Sequence, residues 1–228
     1  MVISWLFLGV EPLKEVVYIQ NMPTKYLVRN LRENSYYHAY NRGVGEESIF
    51  RDEQDYKMFL FYLDIYTSPL EAVCARYSAL PPRLTAKNLG DDIRLVAYCL
   101  MPDHFHLLVK QESTLAMPQL LKQVTNGYTT YFNSKYKRGG RLMQGRYRAV
   151  LIESEYLLIQ MVRFVHLNSS FAGLCKDPGD YAWSSYKQPL HTNGLLNRFV
   201  SAEEWKKFHL DQNSYQLNLP KIKALTLD

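Results

Sequence analysis

The sequence predicts an α+β fold: an antiparallel sheet with helices packed on one face, of ferredoxin-like type. The first observation behind this is the order of periodicities, which runs strand, helix, strand, strand, helix, strand, with one more helix after them. The second is a nearly continuous apolar run, Ile93 to Met101, typical of a central strand and followed at once by another strand. The third is size. With 228 residues, 47% of them hydrophobic, the chain can bury one well-packed domain with an appendage, or two small ones.

The elements follow in order. Residues 36–42, YYHAYNR, are aromatic-rich and end at Gly43, which reads as a strand and a turn. Asp52 then caps a helical pattern in which Tyr56, Phe59, Leu60 and Leu63 share a face, with Pro69 just past its end. Residues 71–92, with Pro81-Pro82 and Asn88-Leu89-Gly90, read as a connector with room for a short helix. Ile93–Met101 is the central strand, Pro102-Asp103 a bend, and His104–Gln111 the next strand. From Pro118 to Tyr136 the apolar positions Leu120, Leu121, Val124, Tyr128, Tyr131 and Phe132 repeat at helical spacing, despite Gly127. Tyr147–Ile152 is a short strand, and Ser154 caps a helix to about Asn168. A short helix is expected at Ala202–Phe208, and Trp183 and Tyr186 read as packing residues of the tail.

Residues 1–21 are expected to be an N-terminal extension, with Met22 as the natural start. Residues 22–175 form the expected domain, and 176–228 a C-terminal tail packing on it. The apolar run near the N-terminus is too short to span a membrane and lacks a signal peptide's basic leader. Three cysteines, Cys74, Cys99 and Cys175, without metal-finger spacing suit a reducing cytoplasm.

The net charge of +5 is modest, so its placement matters more than its size. Between Lys135 and Arg148, KYKRGGRLMQGRYR carries six basic residues and no acidic one. That run is either a solvated loop or a surface for nucleic acid. The triplet His104-Phe105-His106 is also open to two readings. On a strand, the two histidines share a face while Phe105 points the other way. Their α-carbons lie roughly 6–7 Å apart, close enough to converge on one ion, although two ordinary strand histidines would look the same.

Taken together, the motifs are more specific. His104-Phe105-His106 within AYCLMPDHFHLLVKQ, YHAYNRG upstream, and QGRYRAVLI and HLN downstream closely resemble the single-tyrosine transposases of the HUH type. The narrower likeness is to the group related to REP-associated tyrosine transposases, and it runs from about Ser35 to Leu174. This resemblance implies single-stranded or hairpin DNA as substrate, a divalent ion (Mg²⁺ or Mn²⁺) on His104 and His106, and assembly as a homodimer. It implies cleavage and rejoining through a phosphotyrosine link, which stores the phosphodiester energy. Asn168 matches the family's metal-proximal amide. In the basic loop, Lys135, Lys137, Arg138, Arg141, Arg146, Tyr147 and Arg148 are expected to follow phosphates and stack on unpaired bases, with Tyr136.

The family's nucleophile position falls in Arg163-Phe164-Val165-His166-Leu167-Asn168, where residue 164 is phenylalanine. A phenyl ring has no oxygen and cannot attack phosphorus. Tyr156 is the alternative nucleophile, but it lies two turns earlier, rotated by about 80° and ~12 Å away along the axis. It could replace Phe164 only if the helix shifted, so Tyr156 takes a structural or DNA-contacting role. His38 is expected to be a strand-surface or packing residue and His166 to face solvent or DNA. Two functions compete: a metal-dependent DNA-cleaving transposase impaired by Phe164, and a non-catalytic hairpin-binding protein. An RNA-binding module is a third class, but no stretch resembles the RNA-binding signatures.

Overall fold

The computed structural model describes residues 31–187. In chain order these form β1 (Ser35–Arg42), α1 (Glu53–Thr67), α2 (Leu70–Arg76), α3 (Pro82–Thr85) and β2 (Ile93–Met101). β3 (His104–Gln111), α4 (Ala116–Lys135), β4 (Arg148–Ile152) and α5 (Glu155–Phe171) follow. The strands form one antiparallel sheet in the order β2-β3-β1-β4, which is the ferredoxin-like arrangement the element order predicts. The helix expected at Ala202–Phe208 lies outside the described residues.

Local chemistry accounts for the boundaries. Asp52 accepts from the Asp55 backbone N–H at 3.1 Å while the Asp55 carboxylate takes the Asp52 N–H at 3.4 Å, a capping box that starts α1. The expected connector holds the two short helices α2 and α3. α4 begins two residues before Pro118, which is tolerated because first-turn N–H groups have no intrahelical partner. Gly127 within α4 is explained by α1: a Cβ there would stand 2.9 Å from the Tyr62 ring. α5 starts on Ser154, whose side chain accepts from the Leu157 N–H, and runs past Asn168 to Phe171.

The sheet has a core on each face. On one face Tyr37, Ala39, Phe105, Leu107 and Val109 pack with Phe59 and Leu63 of α1 and Leu121, Val124 and Tyr128 of α4. Each large side chain buried there contributes roughly 1.5–3 kcal/mol. On the other face Ala97, Cys99, Met101 and Leu108 pack with Met161, Val162, Phe164 and Val165 of α5. The α+β class and the antiparallel sheet are as expected; α5 departs from the expectation of helices on one face only. A register shift between Leu95 and Ala97 switches which side chains of β2 point to which face. With both faces covered, β2 can be apolar almost throughout.

Beyond α5 the chain lies along the outer edge of β2. Leu100 N–H donates to the Trp183 carbonyl at 2.9 Å, Ser185 N–H to the Tyr98 carbonyl at 3.0 Å, and Trp183 stacks on Tyr56 with centroids 4.5 Å apart. Among the described residues, no helix is long and apolar enough to cross a membrane.

Lys135 takes a place inside the fold. Its ammonium lies 2.7 Å from Asp52 and 2.8 Å from Asp55, and the Asp55 carboxylate also accepts from the Arg51 N–H, Tyr131 and Tyr136. Burial opposes the charge on Asp55, but these donors, Lys135 foremost, hold its carboxyl below the usual range. We expect Lys135→Met to leave Asp55 buried without its counter-charge and to cost about 3 kcal/mol, read from the urea midpoint. Because the folded Asp55 pKa is depressed, its share of stability is complete above the unfolded carboxyl value of ~4. That share is lost as pH falls below it. An Asp55→Asn variant should lack that part of the acid transition.

Candidate metal and nucleic-acid site

Alternation on paired strands decides what meets at the site. β1 and β3 pair so that Tyr40 lies opposite His106, His38 opposite Leu108 and Arg42 opposite His104. The side chains of His38, Tyr40, His104 and His106 therefore rise from one face of the sheet, the face that α5 crosses. The Phe164 ring meets both inner histidines edge-on, with centroids 5.4 Å from His106 and 5.7 Å from His38. Asn168, one turn on, brings its Nδ2 to 3.3 Å from His106 Nε2. Three residues singled out by sequence, His106, Phe164 and Asn168, thus stand together, and His104 flanks them with its ring perpendicular to that of His106 at 5.0 Å.

Each histidine of the triplet has its Nδ1 anchored. His104 Nδ1 lies 2.6 Å from the Asp103 carboxylate, and His106 Nδ1 lies 2.8 Å from His38 Nε2. Burial works against the Asp103 charge, but the bond from His104 and the Arg42 guanidinium at 3.5 Å keep its carboxyl low. His38 is wholly buried, and desolvation lowers its pKa to about 3. His106, 4% exposed, is lowered well below the usual histidine value, chiefly by burial and then by the neighbouring histidines. Both rings are neutral at pH 7.

The bend that carries Asp103 and His104 is held from β1 and the loop after it. Gly43 N–H donates to the Asp103 carbonyl at 2.8 Å, and the N–H groups of Ile49 and Phe50 both reach the Pro102 carbonyl.

One expectation is corrected here. His166 does not face solvent or DNA: it is fully buried, with Nε2 2.8 Å from Ser185 Oγ, because the tail closes over that side of α5. Of the two roles expected for His38, the structure gives it packing: it is buried against His106. It is the residue that sequence reasoning missed. Its partner lies 68 positions away, and only the strand register brings them together.

The basic run divides. Lys135 is bound to Asp52 and Asp55, and Arg138 pairs with Glu47 at 3.2 Å. Lys137, Arg141, Arg146 and Arg148 make no ion pair among the described residues. Arg141, Arg146 and Tyr147 line a cavity of about 610 Å³ with Lys122, Thr125 and Asn126 of α4. Arg148, exposed on β4, pairs in register with Tyr40 and so connects this basic edge to the histidine face. Tyr156 is 45% exposed near the start of α5, two turns before Phe164.

The family model described as "Transposase IS200 like" matches residues 84–166, which bears out over that segment the resemblance read from the motifs. Among solved structures, the chain is similar to a REP-associated tyrosine transposase bound to a REP hairpin (12% identity, TM-score 0.47). That likeness covers 72% of this chain and 83% of that one. It is also similar to a candidate transposase from Deinococcus radiodurans R1 (19%, TM-score 0.34, 60% of this chain and 93% of that one). A third is the tRNA(His) guanylyltransferase of Saccharomyces cerevisiae (11%, TM-score 0.38, 83% of this chain and 76% of that one). Curated proteins gave no match.

Gly43 is the glycine on which the bend depends, since a Cβ there would stand 2.1 Å from the Glu47 carbonyl oxygen, a backbone atom that cannot swing away. We expect Gly43→Ala to cost roughly 1–3 kcal/mol in thermal unfolding, the usual range for overpacking, and to displace His104.

Proposed function

We propose that this protein is an IS200-like transposase-family protein that binds single-stranded or hairpin DNA. It would hold the scissile phosphate with a divalent ion (Mg²⁺ or Mn²⁺) on His104, His106 and Asn168. In this chain the phosphotyrosine step at residue 164 is lost. The observation that carries the reading is the meeting of His106, Phe164 and Asn168 on one sheet face, within and beside the segment that matches the family model.

The donor set suits the ion in part. Two imidazoles, each with Nδ1 anchored, have Nε2 as their remaining nitrogen, and Asn168 offers an amide oxygen. Among the described residues, no group of three or more His, Cys, Asp or Glu side chains is placed to hold a metal. The described residues therefore offer no carboxylate cage, and phosphate oxygens would supply coordination that these side chains do not. When bound, the ion would polarise a non-bridging phosphate oxygen and neutralise developing charge. Asp103 and His38 orient the two imidazoles, and Phe164 excludes water from the inner side.

DNA binding would rest on the cations that make no ion pair among the described residues, Arg141, Arg146 and Arg148, with Lys137. Lys135 and Arg138 brace the loop. The same reading includes a cytoplasmic homodimer. The alternative, a hairpin-binding protein with no cleavage chemistry at all, shares this surface and differs only at the histidines.

Hairpin-tailed single-stranded DNA with Mg²⁺ or Mn²⁺ tests the proposal. The wild type should bind without forming a covalent protein–DNA adduct, and Phe164→Tyr should form one that His106→Ala abolishes. A wild-type adduct that disappears in Tyr156→Phe would overturn the loss of chemistry, and absence of binding in every variant would overturn the family reading of function. No adduct from Phe164→Tyr, with binding intact, would favour the non-catalytic alternative. Arg141→Gln and Arg146→Gln should each weaken binding across sequences and lower the salt slope by about 1.

A further inference from the structure

We propose that Tyr40 and Arg148 together hold one phosphate of the DNA beside the histidines, so that the strand crosses the sheet from His106 through Tyr40 to the basic loop. The ligand class rests on the proposed function, while the two residues are singled out by the sheet itself. Tyr40 lies opposite His106 on β3 and opposite Arg148 on β4. Directly opposed residues of antiparallel strands put their side chains on one face, with Cβ atoms roughly 4.5–5.5 Å apart. The three therefore form one row across the face that α5 crosses.

The face opens at that row. One row earlier, His38 and Leu108 are wholly buried; at this row His106 is buried, Tyr40 half-buried and Arg148 exposed. The Tyr40 ring is fixed from the inner side. It stacks on His38 with centroids 5.3 Å apart and planes within 18°, and lies 5.9 Å from the His106 ring. Its hydroxyl has no hydrogen-bond partner among the described residues, whereas that of Tyr37, on the other face of β1, accepts from the Arg32 N–H at 2.7 Å. The charges divide in the same way. Arg42, two residues on from Tyr40, is committed to Glu46 at 3.4 Å and to Asp103 at 3.5 Å. Arg148 makes no ion pair among the described residues. A ring-anchored phenol and an exposed guanidinium thus stand side by side on adjacent strands, and neither has to leave an ion pair or hydrogen bond of the fold to meet a ligand. Phosphate oxygens accept from both kinds of side chain.

Binding of hairpin-tailed single-stranded DNA without added metal keeps the test apart from the histidine chemistry. Tyr40→Phe retains the ring and its packing and removes only the hydroxyl. Thermal unfolding should therefore be unchanged, while affinity falls roughly 10-fold with the salt slope of the wild type. Arg148→Gln removes a charge and should lower that slope by about 1. Replacing the tail phosphates one at a time by neutral methylphosphonates should locate the contact. At one position the wild type should lose affinity, and that loss should shrink in both variants at the same position. Unchanged affinity in Tyr40→Phe, or sensitivity lost at different phosphates in the two variants, would overturn the assignment and leave the DNA reading in place. A covalent adduct formed by the wild type with Mg²⁺ and absent from Tyr40→Phe would also overturn it, because the hydroxyl would then attack the phosphate instead of holding it. No DNA binding by the wild type would overturn the DNA reading and the assignment together.

Discussion

The register between β1 and β3 is the constraint on which the site depends. Tyr40 stands opposite His106 and Arg42 opposite His104, so every other residue of both strands faces α5 and the rest face α1 and α4. A slip of one residue would send His106 into the apolar core and bring Phe105 out among the histidines. Phe105, Leu107 and Val109 are all essentially inaccessible to solvent on the far face, which makes such a slip prohibitively unfavourable. The apolar alternation of β3 is therefore what holds the polar alternation in place. Packing on one side of the sheet specifies chemistry on the other.

Much of this could be read from the chain. The strands 93–101 and 104–111 stand where periodicity and the Pro102-Asp103 bend place them, and the three long helices begin and end within a few residues of their expected bounds. The histidine triplet, Asn168 and Phe164 were identifiable from motif and spacing. What escaped were relations between distant residues. Nothing local in YYHAYNR says that His38 faces a second histidine, since an imidazole on a strand looks the same whether solvent or a ring lies opposite. His166 escaped for a similar reason: its burial comes from Ser185, supplied by a segment that carries no regular pattern. The coverage of both sheet faces was hinted at by the nearly continuous apolar run of β2, which a one-sided sheet does not need.

The basic run shows the same limit in electrostatics. Six cations within fourteen residues look equivalent in the sequence, yet Lys135 and Arg138 neutralise Asp52, Asp55 and Glu47 from α1 and the loop before it. The remaining cations are set where the chain turns into β4 and along the cavity beside α4. The loop is anchored by one part of its charge and displays the other, so its shape is defined before any ligand arrives. That is the preorganisation a binding surface needs.

Phe164 gives this arrangement a genetic reading. Its ring is packed edge-on against two histidines and is almost wholly buried, so the cavity around it is already the size and outline of a tyrosine less its hydroxyl. In the genetic code, phenylalanine and tyrosine codons differ only at the second base. Gain or loss of a hydroxyl at this point therefore lies one nucleotide substitution away, with no helix, strand or core contact obliged to move. On the proposed function, a lineage could cross between cleaving and non-cleaving forms in either direction while its fold stayed the same.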